Sequence, residues 1–216
     1  MSRSLLTLAA LLVAAATGCD RMLMPAETCI YAPWEEGLTL GFENPSQPEA
    51  QREQSRFQVR VKESRVTEDG RVVVQTHTTV SGQSELTVLL RNGGESLGAD
   101  GKSGLQVLPE GFPDQVSRWV ARGSSFRVLG RAAVRFSGVA LPEFPQSAPG
   151  ELTGVWVESE PLNGEGPRSQ SLYLPDIGLA ETRVLENGAW KPVFRLASRA
   201  FTDVPQPKKP KAGSAS

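Results

Sequence analysis

Arg56-Phe57-Gln58-Val59-Arg60-Val61-Lys62 alternates without a break. Phe57, Val59 and Val61 fall on one side of an extended chain, and the four polar residues fall on the other. Successive side chains of a strand point to opposite faces, whereas a helix would scatter these residues around its circumference. Glu68-Asp69-Gly70 reads as a turn and residues 71–80 as the returning strand, so the stretch predicts an antiparallel hairpin with one packed and one wet face. The pattern extends downstream. Residues 85–91 form a third strand closed by Asn92-Gly93-Gly94, residues 104–108 a fourth, and residues 126–139 a fifth in which Gly130 and Gly138 mark bends or bulges. Residues 155–159, 171–174, 181–185 and 191–201 complete the set. Asn187-Gly188 between the last two is a strong hairpin signal, because both positions of a type I′ turn need positive φ.

Nine such strands predict a mainly β protein: a curved antiparallel sheet, a half-open barrel or a sandwich, with at most one or two short helices. The helix candidate is residues 113–122, where Val116, Trp119 and Val120 stand at i, i+3 and i+4 and Gly123 offers a stop. Residues 46–55 are polar and read as a loop or a single turn. A filled core is the default for the concave face of such a sheet, and an open apolar cavity is the alternative.

The chain has 216 residues, of which 39% are hydrophobic and 22% charged, with 23 basic against 24 acidic side chains. That is too apolar for a wholly disordered chain and too balanced in charge for a dedicated nucleic-acid binder. Charge does not decide the partner, but the N-terminus points to a compartment. After Arg3, residues 5–16 are apolar apart from Thr7. The run is too short for a permanent span, which needs about 20 residues, and has the form of a secretory signal.

Ala16-Thr17-Gly18-Cys19 resembles the lipobox of bacterial lipoproteins, with Ala16 where Leu is usual. The resemblance implies a signal peptide over residues 1–18, cleavage before Cys19, and a diacylglycerol thioether on Cys19 that anchors the chain in a membrane. Two or three acyl chains hold a protein lastingly where one holds it marginally. Residues 19–30 then read as a tether, 31–203 as a single β-rich domain, and 204–216 as a disordered Pro/Lys/Ser tail. The location implied is the bacterial cell envelope, facing the periplasm or the exterior, with inner and outer membrane both open. Cys29, left without an intrachain partner, is expected to be buried and inert.

A second likeness lies in the body. Tyr173-Leu174-Pro175-Asp176-Ile177-Gly178-Leu179 resembles a Tyr-x-x-Pro-x-Ile/Val-Gly-Leu signature of small bacterial envelope proteins of uncharacterised function. Those proteins also open with a Tyr-x-Pro-x-x-x-Gly segment, matched by Tyr31-Ala32-Pro33-Trp34-Glu35-Glu36-Gly37. The likeness implies an antiparallel sheet similar to the lipoprotein-carrier half-barrels, and it implies no activity. In physical terms, Pro175 and Gly178 bend the chain while Tyr173, Ile177 and Leu179 dock on the sheet.

Catalytic patterns are weak. His77 is the one histidine, and no second histidine or cysteine pair stands ready to complete a metal site with it. No Gly-x-Ser-x-Gly elbow occurs. Gly98-Ala99-Asp100-Gly101-Lys102-Ser103 mimics the end of a phosphate loop, but Ser96 stands where the first glycine belongs. Among carboxylate pairs, Glu35/Glu36, Glu110/Asp114 and Glu158/Glu160, the last shares a strand face with Trp156 and suits a glycan hydrolase best. Arg56, Arg60, Arg127, Arg131 and Arg135 occupy outward strand positions and read as a salt-bridged face. These residues predict no enzyme, no cofactor, no metal and no nucleic-acid partner. The expected role is binding of an envelope protein or an apolar ligand, with a structural or assembly subunit as the alternative.

Overall fold

The computed structural model describes residues 29–98, 105–141 and 150–202. The stretches read as a signal peptide (1–18) and a disordered tail (204–216), and most of the phosphate-loop mimic, lie outside the described residues, as does Cys19. Twelve strands follow in order: β1 (Leu38–Glu43), β2 (Phe57–Thr67), β3 (Gly70–Thr79), β4 (Gly82–Arg91), β5 (Gly94–Leu97), β6 (Leu105–Leu108), β7 (Arg118–Ala121), β8 (Ser124–Val134), β9 (Leu152–Pro161), β10 (Ser169–Leu174), β11 (Gly178–Glu186) and β12 (Ala189–Phe201). One short helix, α1 (Glu49–Arg52), runs into a 3-10 turn at 53–55, so of the loop or single turn expected over 46–55 the structure has the turn. The strands form one antiparallel sheet in the order β6-β5-β4-β3-β2-β1-β12-β11-β10-β9-β8-β7, rolled into a nearly closed barrel. The edges that meet at the seam, β6 and β7, are only four residues long, which limits the unpaired backbone they present.

The predicted helix at 113–122 does not form. Phe112-Pro113 is a cis peptide, and residues 118–121 pair with β8 instead. Arg122 and Gly123 both take positive φ, and they close a two-residue hairpin that a helical reading had taken for a stop. Trp119 faces inward and stacks on Phe126, with centroids 5.1 Å apart and planes 7° apart, while Val120 points to solvent. The i, i+3, i+4 spacing was therefore accidental. Strands β1 and β5 were also not anticipated. In β1, Leu38, Leu40 and Phe42 alternate inward, but Gly41 between them masks the pattern. Asn92 and Gly93 make a positive-φ turn from β4 into β5 where the sequence suggested an ending. The bend predicted at Gly130 is a register shift between Val128 and Gly130.

The core is one contiguous cluster running from Leu38, Leu40, Val59 and Val61 through Val73, Val88 and Leu90 to Val155, Leu172 and Ile177. The N-terminal segment is lodged in it. Cys29 and Ala32 are fully buried and Tyr31 nearly so, so the folded body takes in Cys29 and Ile30, which the sequence reading assigns to the tether. Tyr31 meets Phe112 edge-on at 5.4 Å, and Phe112 meets Trp119 and Tyr173 edge-on, each at 5.8 Å. The segment is held against the turn between β10 and β11. The Asp176 N–H donates to Ile30 O (2.7 Å) and Trp34 Nε1 donates to Asp176 Oδ1 (2.8 Å). Gln75 Nε2 donates to Pro33 O at 3.4 Å, and the Arg71 guanidinium lies 4.8 Å from the Trp34 ring centre. The two stretches that carried the resemblance, 31–37 and 173–179, thus touch each other.

Gly178 shows how close that contact is. Its φ is +81°, and a Cβ there would lie 2.7 Å from Pro33 Cδ. Gly188 has φ +78° but nothing within 4 Å of a Cβ. Gly188→Ala is expected to cost about 1 kcal/mol for the left-handed backbone alone. Gly178→Ala should cost about 2–4 kcal/mol, since the clash with Pro33 is added to the same strain. Urea denaturation of both variants measures the difference.

Candidate functional site: a charged ladder on the outer face

Residues 29–37 and the aromatic chain Tyr31, Phe112, Trp119 and Tyr173 pack into the interior among the described residues. Polar chemistry concentrates on the outer face of the C-terminal half. Two cross-strand rows run there, a consequence of antiparallel partners sharing a face. The first joins Arg127, Glu158, Gln170 and Arg183 across β8 to β11. The second joins Trp156, Leu172, Glu181, Arg195 and Glu43 across β9 to β12 and β1.

Glu158 is the hub of the first row. Its Oε1 accepts from Arg127 (2.9 Å) and Arg168 (2.8 Å), and its Oε2 accepts from Gln170 (3.3 Å). Gln170 Oε1 in turn accepts from Arg183 Nε at 2.9 Å. Burial pushes the Glu158 pKa up, but the hydrogen bonds and charge of Arg168, with Gln170 and Arg127, outweigh it and hold the group below the usual carboxylate range. A carboxylate held ionised with both oxygens engaged is poorly suited to donate a proton, so the acid role suggested by the Glu158/Glu160 pair lacks a proton donor at Glu158. In the second row Arg195 Nε donates to the buried Glu181 at 2.7 Å. Arg183 lies 4.0 Å from the Trp156 ring centre and 5.9 Å from that of Trp190, which occupies the guanidinium face as well as its edge.

Two open grooves adjoin this face, and both are lined by Gln58. One, about 670 Å³, lies among Glu43, Arg52, Arg56, Arg135 and Arg195; the other, about 780 Å³, lies among Thr39, Arg60, Lys62, Thr76 and Glu85. The first sets its four arginines beside Phe42, Phe57, Phe136 and Leu196, the second is lined largely by threonine and serine, and Arg135 and Lys62 are paired with Glu151 and Glu85. Of the arginines expected to form a salt-bridged outer face, Arg56, Arg127 and Arg135 do so, and Arg60 lines a groove with no ion pair among the described residues. Arg131 turns to the inner side, where it donates to Tyr31 Oη (3.5 Å) and pairs with Asp114.

The other sequence candidates are dispersed. His77 is half-buried rather than exposed, bonded to Gln75 Oε1 at 3.2 Å, and burial lowers its pKa. It faces inward because it pairs with Val59. Glu110 binds Arg91 and Asn92, Asp114 binds Arg131, and Glu35 and Glu36 are exposed. Cys29 is a free, buried thiol whose pKa is raised by burial and then by the nearby Glu95 charge. Among the described residues no group of His, Cys, Asp and Glu side chains is arranged to hold a metal ion.

Glu95 was missed by sequence reasoning. It sits in β5 between Leu90 and Leu108, both fully buried, and so faces inward without an ion-pair partner. Burial pushes its carboxyl up to about 7, against a smaller opposing pull from Arg122. Its place in a four-residue strand behind a turn leaves no periodicity to show which way it points.

No protein-family model matches the chain, and no curated protein matches it. Solved structures that resemble it include a candidate lipoprotein from Parabacteroides distasonis ATCC 8503, at 11% identity and a TM-score of 0.46. They also include a candidate exported protein with a YmcC-like fold from Bacteroides fragilis NCTC 9343, at 14% identity and a TM-score of 0.45. In each case 80% of this chain and 99% of the other are covered. Likeness at this level transfers no activity to this chain.

The two carboxyls shift in opposite directions, so their pH signatures oppose. The Glu95 pKa is higher folded than unfolded. Ionising it costs stability as pH rises from about 4.5 to 7, and Glu95→Gln should raise the urea midpoint at pH 8 and leave it unchanged at pH 4. The Glu158 pKa is lower folded than unfolded. Its contribution is present above the unfolded carboxylate pKa and lost as pH falls through the folded value, so Glu158→Gln should lower the midpoint at pH 7, with the deficit shrinking toward pH 3.

Proposed function

We propose that the protein is a lipid-anchored component of the bacterial cell envelope, acylated at Cys19, whose β-barrel is non-catalytic and binds a partner protein on its outer face. The lipobox-like Ala16-Thr17-Gly18-Cys19 supports the anchor. The observation that carries the choice of partner is the filled interior. Tyr31, Phe112, Trp119 and Tyr173 occupy the space an apolar ligand would need, which favours a protein partner over a lipid cargo. The groove lined by Arg52, Arg56, Arg135 and Arg195 and the Trp156–Arg183 stack give that partner charged and flat surfaces of the kind interfaces use. The engaged Glu158 carboxylate supports a binding role over glycan hydrolysis.

Metabolic labelling with palmitate tests the anchor. The wild-type chain expressed in a bacterial host should incorporate label and Cys19→Ser should lose it, whereas equal labelling of both would refute acylation at that residue. Native mass spectrometry of the detergent-extracted protein tests the choice of partner. A mass free of bound lipid other than the anchor is expected, and a stoichiometric co-purifying lipid would return weight to ligand carriage.

A further inference from the structure

The chain enters and leaves the barrel at one end. Leu38, at the start of β1, pairs with Phe201 near the end of β12, and Gly37 O accepts the Thr202 N–H. Residues 29–37 lie against the β10–β11 turn, through Ile30 with Asp176 and Pro33 with Gly178. The β2–β3 turn is at this end too, since β2 runs on from Val61, which is bonded to Gly37, as far as Thr67. The β3–β4 and β11–β12 turns stand at the opposite end, because each strand reverses its predecessor.

We infer that the end carrying the β2–β3 and β10–β11 turns is the surface that rests on the membrane. This rests on acylation of Cys19 and adds an orientation that the anchor by itself does not supply. Cys29 is fully buried and close to Glu95 and Tyr173, so the free chain between lipid and body is at most residues 20–28. Fully extended, nine residues reach about 30 Å. The 13 residues of β12, the longest strand, rise about 30–35 Å along the barrel axis at the 35–45° tilt usual for barrel strands. A nine-residue tether comes near the opposite end only when fully stretched along the wall, so the end it leaves from is the one it holds at the bilayer. A long flexible linker would leave every orientation open.

The surface chemistry of this end fits shallow contact with a bilayer. Ile30, Val66 and Phe201 expose apolar side chains here, which the interfacial region of a bilayer accepts. Glu35, Glu36, Glu68 and Asp69 share the end and keep it from penetrating further. The outer-face grooves run along the barrel wall, so this orientation leaves them open to a partner.

The test uses the full-length acylated protein, purified in detergent and transferred to vesicles of phosphatidylethanolamine and phosphatidylglycerol that carry a nitroxide on a fraction of their headgroups. A fluorophore on Asp69→Cys reports the β2–β3 turn, and one on Ser81→Cys reports the β3–β4 turn; Cys29 is buried and does not compete for label. Flotation scores the anchor separately from the orientation. Nitroxide quenching at residue 69 is expected to exceed that at residue 81 at least threefold. Equal quenching, or stronger quenching at residue 81, in protein that floats would overturn the orientation and leave the anchor standing. Protein that does not float would overturn the anchor and the orientation with it.

Discussion

The barrel depends on the lodging of residues 29–37 against the turn at 175–178. A sheet whose edges meet without a ladder gains no hydrogen bonds from closure, so side chains inside must hold its two margins together. Tyr31 supplies the first link, and Phe112, Trp119 and Tyr173 carry it across the seam to β7 and β10. Aromatic pairs of this geometry contribute about 0.5–1.5 kcal/mol each beyond their buried area. Asp176 ties the same segment to the sheet by its backbone N–H and its carboxylate. Removing the segment would leave an emptied interior and an unfastened seam together, so plug and barrel are one cooperative unit.

The outer face is organised by a different constraint. Buried or half-buried charges persist in a protein only when they are paired and hydrogen-bonded. Glu158 and Glu181 meet that condition through Arg127, Arg168 and Arg195, each reached across a neighbouring strand. Fixed cross-strand partners also specify register, because a one-residue slip would send every member of the row to the wrong face. The same rows present arginines at fixed spacing to the solvent, where a partner can read them. Structural order and binding potential thus arise from one arrangement.

The segment that plugs the barrel is also the one that continues toward the proposed lipid anchor. Any pull on that anchor is delivered to Cys29 and Tyr31, inside the core, and not to a loose terminus. A body fastened this way moves with its tether as one piece, and a short tether then limits how far it can turn. Barrel closure depends on nine consecutive residues, 29–37, and the proposed orientation would be set through the same segment.

Strict alternation in Phe57, Val59 and Val61, the Asn187-Gly188 turn and the bend at Gly130 were sufficient to read an antiparallel, one-sided β architecture from the chain alone. These are local signals, since side-chain period and positive-φ turns need only neighbours in sequence. Local signals misled at Val116, Trp119 and Val120, whose helical spacing lost to cross-strand pairing and to the stack on Phe126, and they were silent for β1 and β5, where glycine interrupts the pattern. The sequence placed arginines on an outward, salt-bridged face but did not show which carboxylates they meet, and the inward carboxyl of Glu95 and the contact of Trp34 with Asp176, 142 residues away, were not legible in it. They exist because folding brings distant strands into one register, and which residues then face each other is a property of the closed sheet and of no segment within it.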